Sequence, residues 1–213
     1  MNVFLSGGSK SGKSMLAQRI ARTMAPQRPH YYLATMIPHD AEDDARIARH
    51  RRERAGWGFE TVECGQNILA ALDAADPGGV FLLDSVTALL SNEMFRADGT
   101  MDETAGDRLA RELTEFARRT GSCVFVCDNI FADGADYGGW TERYRQALGA
   151  IGAALCRVCD AAAEVCCVRE GTDETALLDV PALAEKILIF DDISCGVVPL
   201  EAEARAWRER TGR

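Results

Sequence analysis

Lysine is nearly missing from this chain: of 24 basic residues only Lys10, Lys13 and Lys186 are lysines, and histidine occurs three times, as His30, His39 and His50. Net positive charge is missing too, because 33 Asp and Glu set the formal charge at −9. That excludes a general grip on DNA or RNA, whose phosphates are held by surplus Lys and Arg. No run approaches the ~18 apolar residues of a membrane span. Met1–Leu5 lacks the basic start of a secretory signal, so a cytoplasmic protein is expected. No Pro- or Ser-rich linker divides the 213 residues, a length that buries a proper core without disulfides. The cysteines at 64, 123, 127, 156, 159, 166, 167 and 195 are therefore expected to be mostly buried thiols.

What the chain does have is alternation of short apolar runs with longer helical patterns, the signature of a parallel α/β sheet. Strands are expected at Asn2–Ser6, Tyr31–Ala34, Val80–Leu83, Cys123–Cys127, Ala163–Val168 and Lys186–Phe190. Helices are expected at Lys13–Met24, Asp40–Glu53, Gln66–Ala74, Asp102–Thr120 and Thr141–Asp160. Asp76-Pro77-Gly78-Gly79 and Asp98-Gly99-Thr100 read as turns. Three strands run into acids, namely Asp84, Asp128 and Asp191-Asp192. Ligands of parallel sheets bind beyond the carboxyl ends of the strands, so these acids are candidates for function, with helix capping as the plain alternative.

Gly7-Gly8-Ser9-Lys10-Ser11-Gly12-Lys13-Ser14 matches G-x-x-x-x-G-K-[ST] in full, with an apolar strand before it and a helical pattern after it. Glycines let backbone N–H groups curl round phosphate oxygens, and the helix N-terminus adds favourable partial charge. Lys13 reaches the β- and γ-phosphates of a bound nucleoside triphosphate, and the Ser14 hydroxyl and Asp84 are the candidate Mg²⁺ ligands. Taken by itself, Lys10 reads as a surface charge on the loop.

Residues 46–54 are Arg-Ile-Ala-Arg-His-Arg-Arg-Glu-Arg, a basic island in an acidic chain. Guanidinium forks suit a polyphosphate, although an exposed helix of mixed charge also reads this way. Arginines around His50 favour its neutral imidazole, which can attack an α-phosphate and carry a nucleotidyl group.

The loop, followed by Tyr32-Leu33-Ala34-Thr35, Arg46-Ile47-x-x-His50-Arg51-x-x-Arg54, Trp57, Glu60-Thr61-Val62-Glu63 and Asp84-x-x-Thr87-x-x-x-x-Asn92, resembles the bifunctional adenosylcobinamide kinase/adenosylcobinamide-phosphate guanylyltransferase family. The resemblance runs to about residue 170. It implies a P-loop NTPase, RecA-like fold, with a mostly parallel sheet flanked by helices and usually assembled as a homotrimer. It also implies two activities. One phosphorylates the aminopropanol hydroxyl of adenosylcobinamide with ATP or GTP; the other moves GMP from GTP to adenosylcobinamide phosphate through a GMP–histidine. By the same resemblance, His50 and Lys13 are catalytic. The nucleotide contacts fall on Gly7, Gly8, Ser9, Lys10, Ser11, Gly12, Lys13 and Ser14, then on Ala34, Thr35 and Met36. Further contacts fall on Arg51, Arg52, Glu53 and Arg54, with Glu63 and Asp84 completing the set.

Two departures stand out. The family's Asn-Glu-Val-Gly-x-Gly-Ile-Val-Pro after the fourth strand is replaced by Asp128-Asn129-Ile130-Phe131-Ala132-Asp133-Gly134. A similar stretch, Asp191-Asp192-Ile193-Ser194-Cys195-Gly196-Val197-Val198-Pro199, recurs near the C-terminus, so 171–213 reads as an extension carrying a partial repeat of 123–149. Cys156-x-x-Cys159 falls in a helical pattern and is expected to pack on the sheet rather than bind zinc. Tyr137, Trp140 and Tyr144 read as packing at a helix start, or as an aromatic wall for a corrinoid or a base. On residues alone, a kinase of another small molecule or a non-catalytic nucleotide switch is also compatible.

Overall fold

The computed structural model describes residues 1–38, 40–130 and 138–165. Six strands, β1 (Asn2–Gly7), β2 (His30–Ala34), β3 (Phe59–Glu63), β4 (Val80–Asp84), β5 (Ser122–Asp128) and β6 (Ala161–Val165), form one sheet in the order β3-β2-β4-β5-β1-β6. Every pairing is parallel. The helices are α1 (Lys13–Thr23), α2 (Ala41–Glu53), α3 (Ala71–Ala74), α4 (Val86–Met94), α5 (Ala105–Arg119) and α6 (Gly139–Val158).

Both faces of the sheet are covered, which is why the central strands are apolar along their length rather than alternating. On one face Phe81, Leu83 and Phe125 pack with Leu89 of α4, Leu113 and Phe116 of α5, and Leu148 and Ile151 of α6. On the other, Val3, Leu5, Leu82, Val124 and Val126 pack with Leu16, Ala17 and Ile20 of α1. The period-2 alternation therefore puts Tyr32, Asp84 and Asp128 on the α1 face, at or near the carboxyl end of the sheet. The expected P-loop α/β architecture is what the chain adopts.

Several expectations need correction. β3 and α4 were not foreseen. β3 is an edge strand with Glu60, Thr61 and Glu63 exposed, so it lacks an apolar run. The helix expected at 66–74 is a 3₁₀ turn at Ile68–Ala70 leading into four-residue α3. Gln66 and Asn67 are held instead by α4, through Gln66 Nε2 to the Asn92 carbonyl at 2.7 Å and Asn67 N–H to Glu93 Oε1 at 2.7 Å. α5 begins at Ala105 rather than 102, because Asp102 accepts the Thr104 N–H and hydroxyl in a capping turn at 2.9 and 2.7 Å. β6 starts at Ala161, two residues early, where the Asp160 N–H donates to the Asn2 carbonyl and draws the chain alongside β1. Cys156 is exposed on α6 rather than packed on the sheet; Cys159 is half-buried, and Cys64, Cys123 and Cys127 are buried. The expected strand at Lys186–Phe190, the extension 171–213 and Tyr137 lie outside the described residues.

Candidate active site

The phosphate loop leaves β1 and enters α1. Gly7 is required by a close approach: a Cβ there would sit 2.1 Å from the Val165 carbonyl oxygen of β6. Gly12, immediately before α1, has φ 87°, a left-handed conformation that glycine adopts without steric cost. The hydroxyl of Ser11 is buried in this loop with no hydrogen-bond partner among the described residues, the condition of a donor waiting for an anion.

Lys13 is buried and doubly anchored. Its ammonium donates to the Gly8 carbonyl at 2.8 Å and lies 2.6 Å from the Asp128 carboxylate. A buried ammonium needs such partners when no phosphate is present. Asp128 was legible as a strand-end acid but was not assigned to the site; the structure brings it there. Its backbone is fixed from two sides: its N–H donates to Thr87 Oγ1 at 2.8 Å, and the next N–H, of Asn129, donates to the Gly7 carbonyl at 2.8 Å. The Asn129 amide also bonds the Glu164 carboxylate.

Asp84 completes the other side. Ser14 Oγ donates to Asp84 Oδ1 at 3.3 Å, and the Tyr32 hydroxyl donates to Oδ2 at 2.9 Å. Burial, reinforced by the charge of Asp84, pushes the Tyr32 phenol well above its ordinary value, so it remains a donor. Hydroxyl and carboxylate oxygens beside a phosphate loop suit Mg²⁺, which keeps much of its water and takes few protein ligands. Among the described residues no group of three His, Cys, Asp or Glu stands together. Phosphate oxygens and water would supply the rest of the coordination.

Tyr32 is part of the family resemblance but not of the candidate site residues, yet it ties the basic island to this site. The Arg54 guanidinium lies 3.5 Å from the Tyr32 ring centre, and Arg54 is buried. Its N–H closes the last turn of α2 onto the His50 carbonyl at 3.1 Å. His50, half-buried and one turn earlier, shares that side of the helix. Arg51 pairs with Glu63 of β3 at 2.7 Å. Both side chains are 60% exposed, so the pair holds them weakly and an incoming phosphate can recruit the guanidinium. Arg52 is exposed, and the Glu53 side chain lies outside those described. Asp40 caps α2 by accepting the Asp43 N–H at 2.9 Å.

Ala34, Thr35 and Met36 end β2 beside these groups; Ala34 is in register with both Asp84 and Glu63. Thr35 is locked to Ser85, donating to its carbonyl at 2.8 Å and accepting its N–H at 2.7 Å. Asn92 then donates to the Thr35 and Gly65 carbonyls at 2.7 and 2.8 Å, clamping the ends of β2 and β3 together. Of the aromatic trio, Tyr144 packs in the core with its hydroxyl on the Thr87 carbonyl, whereas Trp140 is exposed beside Phe95.

A family model described as cobinamide kinase / cobinamide phosphate guanyltransferase matches residues 3–173. The bifunctional adenosylcobalamin biosynthesis protein CobU of Salmonella typhimurium is 35% identical over 115 residues, 53% of this chain and 60% of that protein. CobU of Escherichia coli is 33% identical over 113 residues, with the same shares, 53% and 60%. CobP of Pseudomonas aeruginosa, also named a bifunctional adenosylcobalamin biosynthesis protein, is 31% identical over 153 residues, 67% of this chain and 86% of the relative. The chain thus spans 60% of the length of the two CobU relatives it matches.

Proposed function

Because this chain belongs to the cobinamide kinase / cobinamide phosphate guanyltransferase family, we propose that it carries out both reactions. It phosphorylates the aminopropanol hydroxyl of adenosylcobinamide with ATP or GTP, then moves GMP from GTP onto the new phosphate. The contact series Ser14–Asp84–Tyr32–Arg54 carries this reading, since it joins the phosphate loop to the helix that bears His50.

In the kinase step the loop N–H groups and the Ser11 hydroxyl bind phosphate oxygens, and Lys13 turns to the β- and γ-phosphates. Ser14 and Asp84 would hold Mg²⁺, which would supply positive charge to offset that of the phosphates. In the guanylyl step the His50 imidazole attacks the α-phosphorus of GTP. The bond to the β-phosphate oxygen breaks, pyrophosphate leaves, and Arg51, Arg52 and Arg54 offset its charge. A phosphate oxygen of adenosylcobinamide phosphate then displaces the imidazole, giving adenosyl-GDP-cobinamide. The enzyme works in the cytoplasm as a homotrimer.

Mass spectrometry of a reaction containing adenosylcobinamide, ATP, GTP and Mg²⁺ tests this reading. Both adenosylcobinamide phosphate and adenosyl-GDP-cobinamide are expected, and neither with Lys13→Ala. A folded, nucleotide-binding wild-type chain that forms neither product contradicts it.

A further inference from the structure

We infer that Trp57 and Arg22 are positioning residues for guanylyl transfer: their contact fastens the end of α2 to α1 and so sets where His50 stands. The inference rests on the guanylyl half of the proposed function.

The Arg22 guanidinium, on the last turn of α1, lies 4.8 Å from the centre of the Trp57 ring. Ser14, Gln18 and Arg22 are spaced four apart and share one face of that helix. Ser14, at its start, reaches Asp84, and Tyr32 and Arg54 continue from there. Gln18, between Ser14 and Arg22, is 1% exposed, so the middle of this face is covered. The Trp57 N–H donates to the Arg54 carbonyl at 3.0 Å. The contacts therefore close on themselves, from Ser14 through Asp84, Tyr32, Arg54 and Trp57 to Arg22 and back along α1.

The direction of α2 depends on that circuit. Among the described side chains of α2 none is buried, whereas Arg54, just past its end, is. The exposed pair of Arg51 and Glu63 holds it weakly. A helix with no buried face takes its place from its attached end. Gly56 and Gly58 flank Trp57 with φ of 81° and 79°, so the segment has little stiffness of its own and the ring contact fixes it. Arg54 on β2 alone would leave a pivot; Trp57 on α1 adds the second point that fixes a direction. The His50 carbonyl accepts the Arg54 N–H at 3.1 Å, so the imidazole sits one turn inside the fastened end. Attack on the α-phosphorus is sensitive to displacements of about 1 Å, which a small tilt of α2 produces.

The test measures single-turnover guanylylation of His50 in Trp57→Leu, Arg22→Gln and the double variant. At saturating GTP, Trp57→Leu should slow it by about tenfold or more, and Arg22→Gln by about threefold or more. The double variant should match Trp57→Leu within about twofold, because Arg22 acts through the ring. The GTP concentration for half-maximal rate should change by less than about twofold, since the nucleotide contacts stay in place. Trp57→Phe and Arg22→Lys, which keep a ring face and a cation, each recover part of the rate. Phosphorylation of adenosylcobinamide, which uses the loop but not His50, should change by less than about twofold. In nucleotide-free protein, Arg22→Gln should speed amide hydrogen exchange at residues 54–57 by about threefold or more.

Guanylylation at the wild-type rate in Trp57→Leu overturns the inference. So does an Arg22→Gln effect that persists undiminished beside Trp57→Leu. Phosphorylation falling by the same factor as guanylylation also overturns it, marking the pair as a prop for the fold. A wild-type chain that never labels His50 overturns the guanylyl reading instead. The exchange measurement needs no nucleotide, so it keeps that failure apart from a failure of the contact between Trp57 and Arg22.

Discussion

The Arg54 guanidinium lies 3.5 Å from the centre of the Tyr32 ring, while the hydroxyl at the other end of that ring donates to Asp84 at 2.9 Å. One aromatic side chain thereby links the end of the basic helix to the carboxylate beside the phosphate loop. The buried stacked guanidinium contributes about 0.5–2 kcal/mol, and the hydrogen bond to a charged acceptor about 1.5–3 kcal/mol. Tyr32→Phe keeps the stack and loses the bond; Arg54→Ala loses the stack and frees the end of α2. Denaturant unfolding of both and of the double variant should show non-additive losses, and Arg54→Ala alone should slow guanylylation by about tenfold or more. Additive losses with full guanylylation in Arg54→Ala would show that the linkage has no part in the chemistry.

Ser14 Oγ donates to Asp84 Oδ1, and these two oxygens are the proposed Mg²⁺ ligands. Ser14→Ala and Asp84→Asn should raise the Mg²⁺ concentration for half-maximal phosphorylation by about tenfold or more, as loss of a ligand from a small set does. Mg²⁺ titrations matching wild type in both variants would move the metal elsewhere.

Asn92 binds two carbonyls, those of Thr35 and Gly65, from one amide. Asn92→Ala strands both acceptors, and Asn92→Asp sets a carboxylate against them. Each should lower stability by about 2–4 kcal/mol, with the aspartate the worse. Urea unfolding midpoints give the comparison.

Thr104, then Arg108, hold the Asp102 carboxyl far below the ordinary aspartate range. A depressed folded-state value means that this carboxylate stabilises the fold above the unfolded value of about 4, and that its contribution is lost as pH falls further. The melting temperature of Asp102→Asn should therefore lie below wild type at pH 7, with the gap narrowing as pH falls from about 4.5 to 2.5. A gap that does not change across that range would show that the carboxylate charge is not what stabilises this turn.

The phosphate loop was legible because its glycines, lysine and serine are adjacent in the chain, and so were the strands, which are apolar wherever both faces are covered. β3 was not, since Phe59–Glu63 pairs on one side only and leaves Glu60, Thr61 and Glu63 in solvent. α4 was hidden by its nine-residue length, too short for a clear helical period. Tyr32 looked like one more apolar residue of Tyr31–Ala34; only the alternation of the strand, counted against Asp84 in the neighbouring register, could have put it on the site's face. Asp128 carried the same signal as Asp84, an acid at a strand end, but nothing in the sequence says that β5 lies between β4 and β1. That placement is what sets its carboxylate against Lys13.

The central claim is that His50 carries GMP. Incubation with GTP labelled at the α-phosphate and Mg²⁺, followed by denaturation, tests it directly. The account predicts a covalent label that is lost in acid, kept in alkali, and absent from His50→Ala. A folded wild-type protein with no covalent label, or a label that persists in His50→Ala, contradicts it.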